Sequence, residues 1–184
     1  MLRGNRELWL AFLAMILITG LYGLVLFFTR EVPPASELFG HGIGILGFIF
    51  MLMTETLYSL RKRSRSVKWG KMSTWLQLHI FTGLVGPYMV LLHTSWKFNG
   101  IAGVTTLLTV IIVVSGFIGR YIFTRIPRTL DGLEIEVGLP QEALKQARQL
   151  MALWHTIHIP IGMALFVSAF VHIGAALYYA TLLK

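Results

Sequence analysis

The chain has 184 residues, of which 55% are hydrophobic and only 13% charged, with a mean hydropathy of +0.70. Soluble domains carry about 25% charged residues, so a water-facing shell cannot be built here and lipid must cover much of the surface. The absence of cysteine excludes a disulfide framework, thiolate-bound zinc or iron–sulfur clusters, and cofactor attachment through thioethers. The formal charge of +8 does not point to nucleic acid, because the basic residues fall between apolar runs rather than on one soluble face.

In chain order, five apolar stretches are long enough to cross a hydrocarbon core as helices, which takes about 20 residues. They cover about 8–28, 40–60, 73–94, 101–123 and 152–182. Arg3 and Arg6 precede the first, as in a signal peptide. That run is too long for a signal-peptide core and no small-x-small cleavage site follows, so it reads as an uncleaved anchor. The second contains one acid, Glu55, and the fifth is long enough to tilt or protrude.

The polar connection 124–151 carries a turn signal at Asp131-Gly132 and a weak strand signal, with Leu133, Ile135 and Val137 alternating with Glu134 and Glu136. From Pro140, the spacing of Leu144, Ala147, Leu150, Met151 and Trp154 predicts an amphipathic helix lying on the inner interface, or else a plain connector into the fifth span. The expected fold is one all-α integral membrane domain over 1–184, a five-helix bundle.

Placing the N-terminus inside puts 13 basic residues on inner segments, in particular Arg61–Lys71, Arg120, Arg125, Arg128, Lys145 and Arg148. Only Arg30, Lys97 and Lys184 then lie outside. This positive-inside bias predicts a multi-pass protein of the cytoplasmic (inner) membrane with its C-terminus outside. The basic cluster also suits anionic lipid.

Four of the six histidines form a pattern. His79 and His93 on the third span are 14 positions apart, as are His158 and His172 on the fifth. Fourteen residues fall about 40° short of four helical turns and rise about 21 Å, so each pair shares one face and spans the membrane's depth. The third and fifth spans run parallel. His79 therefore matches His158 near the inner side, and His93 matches His172 near the outer side. Two stacked bis-imidazole sites suit haem iron.

Gly83, Gly86, Gly162 and Ala169 lie on the same faces. Their small side chains leave room for a macrocycle, although membrane helices pack through small residues anyway. The second ring nitrogen of each histidine should meet a carbonyl or hydroxyl, and Ser168 is placed to serve His172.

These paired His-x13-His helices, with one helix between them, resemble the dihaem core of membrane b-type cytochromes. That core is shared in pattern by the cytochrome b of quinol:cytochrome c complexes and by ferric-reductase and NADPH-oxidase membrane domains. The resemblance covers about Thr74 to Tyr178. It implies two haem b groups between the third and fifth helices, ligated by His79/His158 and His93/His172. The chain has neither the further helices of a full-length cytochrome b nor a flavin or nicotinamide domain. The implied function is a cytochrome b subunit that carries electrons across the membrane, exchanging them with the quinone pool and a partner redox subunit. The alternatives are a stand-alone haem reductase of ferric ion or oxygen, and a histidine-lined proton or metal transporter.

For the haem propionates, Lys97 and Asn99 are candidate partners on the outer side, with Arg120 or Lys71 on the inner side. His41 is a candidate for a quinone oxygen or a propionate, and equally an interfacial histidine with no chemistry. His155 is an alternative inner ligand, though its spacing to His172 breaks the match. Glu55 is a proton acceptor for quinol oxidation or a carboxylate snorkelling toward the basic loop.

Overall fold

The computed structural model describes residues 5–63, 70–126 and 141–182. They form five helices: α1 (Arg6–Thr29), α2 (Leu38–Arg63), α3 (Met72–His93), α4 (Gly100–Thr124) and α5 (Gln141–Leu182). Each is long and apolar enough to cross a membrane. Large apolar side chains point outward along them, Leu17 at 72% and Phe28 at 74% exposure among them. Such a surface is stable only against lipid. The chain is thus an all-α, multi-pass membrane protein, and four of its helices end within three residues of the expected spans.

The described helices divide into two compact units, α1–α3 and α4–α5. In the first, α3 packs against both α1 and α2. Val85, Met89 and Leu92 of α3 meet Ala11 and Tyr22 of α1 and Ile43 of α2 in one buried cluster. The α2–α3 approach is very close at Gly47 and Gly86: a Cβ on either would stand 2.9 Å from the other's carbonyl oxygen. Small residues permit this kind of backbone contact where lipid gives no hydrophobic drive to association. Hydroxyl pairs add to it. Thr54 donates to Thr82 at 2.7 Å, and Thr19 of α1 bonds Tyr88 of α3. Outside the helices, Ser95 Oγ donates to the Pro33 carbonyl at 2.6 Å, tying the end of α3 to the α1–α2 turn.

In the second unit α4 and α5 run antiparallel. Thr105 bonds Ser168 at 2.7 Å and Ser115 bonds His158 at 2.9 Å. Ten residues down α4 match ten up α5, so both bonds belong to one register. Thr105, Thr106 and Thr109 are buried on α4, as are Leu165 and Ala169 on α5.

The start of the fifth span differs from expectation. Among the described residues no separate interfacial helix precedes it; α5 is one helix of 42 residues. At 1.5 Å per residue it is about 63 Å long, roughly twice a hydrocarbon core. Two causes are visible. Gln141–Ala152 is made of good helix formers with no glycine or proline to break them. Leu144, Ala147, Met151 and Trp154 also keep one stripe, which packs on Ile122, Phe123 and Ile126 at the end of α4. Leu150, assigned to the same stripe from sequence, is exposed. The Asp131-Gly132 turn, the Leu133–Val137 alternation, Pro140, and Arg3, Arg65, Lys68, Arg128 and Lys184 of the charge census lie outside the described residues.

Candidate functional site

His79 and His93 stand in the first unit, His158 and His172 in the second. Each pair is therefore described in its own surroundings.

On α3 both rings lean on α2. His79 Nδ1 lies 2.9 Å from the Thr54 carbonyl oxygen, and His93 Nδ1 lies 2.8 Å from that of Gly40. The two carbonyls are separated by 14 residues, as are the two histidines. One local arrangement thus occurs twice along the α2–α3 pair. A carbonyl can only accept, so each Nδ1 carries the proton, and in the neutral ring the lone pair is on Nε2. Nε2 is a ring nitrogen through which histidine ligates metals, with Nδ1–H oriented by an acceptor. The expectation of a carbonyl or hydroxyl partner is met for both rings, by α2, to which the sequence assigned no such part.

Room for the upper ring comes from Gly44, where an added Cβ would come 2.6 Å from His93 Nδ1. His41 is exposed, and its ring stands edge-on to His93 at 6.3 Å between centroids. Of the two readings open for Gly83 and Gly86, helix packing has contacts to support it: their Cβ positions point at Thr54, and at Gly47, Phe50 and Met51, so the missing side chains admit α2.

On α5, His158 Nδ1 faces the Ser115 hydroxyl, and the Trp154 ring stacks on His158 at 4.4 Å and 28°. Trp154 Nε1–H donates to the Ser115 carbonyl at 2.7 Å and lies 3.2 Å from its hydroxyl. His155 turns its Nδ1 back to the Met151 carbonyl of its own helix, 2.9 Å away. His172 is half-buried and has no hydrogen-bond partner among the described residues. Ser168, expected to serve it, bonds Thr105 instead, because the α4–α5 register turns that hydroxyl toward α4. Gly162 and Ala169 are buried on α5.

The remaining candidates lie at helix ends or on the surface. Lys97, Asn99 and Lys71 are exposed, Arg120 is half-buried, and Glu55 is exposed on α2 next to Thr54. Among the described residues, no three His, Asp or Glu side chains converge as they would around a bare metal ion. A haem iron asks for two axial imidazoles, the rest of its ligands coming from the porphyrin, and Nδ1-protonated histidines fit that role chemically. Sequence reasoning missed Thr54, Gly40, Gly44, Ser115 and Trp154. For Ser115 and Trp154 a signal existed: Trp154 is one turn from His158, and Ser115 is a polar residue inside an apolar span. Compared with models of protein families, with curated proteins and with solved structures, the chain matches none.

Proposed function

We propose that the protein is a dihaem b-type cytochrome of the cytoplasmic membrane that passes electrons between the membrane's two sides. It would exchange them with the quinone pool and with other subunits of a redox complex. The observation that carries this reading is the repeated Nδ1-to-carbonyl bond of His79 and His93. Such a bond puts the proton on Nδ1 and so supports ligation through Nε2, at two positions about 21 Å apart along α3. The pairing of His79 with His158 and of His93 with His172 rests on helix direction and on the shared spacing of 14 residues. The N-terminus-inside orientation rests on the basic-residue bias.

Bound haem would supply a one-electron couple at each depth. The chain's own residues do the rest. Thr54, Gly40 and Ser115 hold the imidazoles in orientation, while apolar helix surface excludes water. Lys97 and Asn99, and Arg120 or Lys71, are the polar groups proposed for the propionates. His41 is proposed as a contact for a quinone oxygen and Glu55 as a proton acceptor.

Adding a reduced quinol to the purified protein tests the function. Haem absorbance that shifts to the reduced form supports it. Haem reduced by dithionite but not by quinol would instead favour a reductase fed from another source. A protein without haem absorbance would favour a histidine-lined transporter.

A further inference from the structure

The surroundings of His158 differ from those of His79 and His93 in one chemical respect. A carbonyl only accepts, whereas the Ser115 hydroxyl can donate or accept. Two side chains converge on this serine through three contacts: His158 Nδ1 at 2.9 Å from Oγ, and Trp154 Nε1 at 2.7 Å from the carbonyl oxygen and 3.2 Å from Oγ. The indole can only donate. It is also stacked on the imidazole, with ring centroids 4.4 Å apart. Its position is fixed from behind by Gly119, where any Cβ would overlap the indole ring. The imidazole is thereby held on one flank by a ring and at one nitrogen by a hydroxyl, both anchored to the same turn of α4.

We propose that Ser115 is the positioning residue for the His158 haem ligand, accepting Nδ1–H so that Nε2 carries the lone pair toward iron, with Trp154 and Gly119 holding the ring in that orientation. This rests on the haem reading above. The hydrogen bond makes the imidazole a stronger electron donor, which favours ferric over ferrous iron and lowers the midpoint potential. The same arrangement distinguishes His158 from His155, whose Nδ1 is directed to its own helix at Met151.

The test is a redox titration of the intact protein in detergent, following both haems by absorbance, in the wild type and in Ser115→Ala, Ser115→Thr and Ser115→Cys. Wild-type protein without haem would end the electron-carrier reading itself. With two haems in the wild type, Ser115→Ala should move one midpoint potential to a more positive value and leave the other unchanged, and Ser115→Thr should restore it. Where Ser115→Ala fails to retain the haem, Ser115→Cys decides the matter, since sulfur is a weaker acceptor of similar size. It should show the same positive shift in smaller measure. Two unmoved potentials in whichever of these variants keeps both haems would overturn the proposal, as would equal shifts of both.

Discussion

The Nδ1 nitrogen of His93 lies 2.8 Å from the carbonyl oxygen of Gly40, one turn before the glycine that gives the ring its space. Backbone therefore orients this imidazole, and no side-chain substitution can delete the acceptor. What can be altered is the space. A methyl group at Gly44 would collide with the ring, whereas one at Gly42 would meet nothing within 4 Å. Gly44→Ala should reduce bound haem from two per chain toward one, or shift the spectrum of one haem, while Gly42→Ala keeps both. Haem content and absorption of the purified variants check this.

The reciprocal contact of Gly47 and Gly86 makes a second, purely structural prediction. Overpacking a close helix contact costs about 1–3 kcal/mol. Gly86→Leu should lower the thermal midpoint in detergent, followed by helical circular dichroism. Gly23→Leu, on a face with nothing within 4 Å, should not.

The Thr105–Ser168 bond should be modest in energy. Interhelical hydrogen bonds in membranes average about 0.6 kcal/mol, because the separated helices find other partners. A double-mutant cycle with Thr105→Val and Ser168→Ala should return a coupling of about that size. A coupling near zero would show that the α4–α5 register is held by apolar packing alone.

The two histidines at the start of the apolar part of α5 should behave differently. His158 is stacked on Trp154 and bonded to Ser115, while His155 is bonded within its own helix. Haem content should fall in His158→Ala and stay at two per chain in His155→Ala. The reverse would move the ligand assignment by one turn.

Much of the architecture was legible because lipid imposes a length and a composition on every crossing helix. The ends of α1 to α4 follow directly from where the apolar runs stop. The start of α5 does not, because hydropathy marks where lipid ends, whereas helix continuity depends on backbone propensity and on the Leu144, Ala147 and Met151 stripe that keeps it packed on α4. The histidine spacing was equally readable. Its support was not. Gly40 and Thr54 contribute carbonyl oxygens, which every residue possesses, so no residue type announces them. Gly83 and Gly86 announced themselves clearly, but a missing side chain looks the same whether it admits a helix or a flat ligand. Only the position of α2 distinguishes the two.

Pyridine-haemochrome quantification on the wild type and on His79→Ala, His93→Ala, His158→Ala and His172→Ala tests the central claim most directly. Two haem b groups per chain are expected in the wild type, with loss of one in each variant. A wild-type protein that binds no haem, or four variants that all keep the full complement, would contradict it.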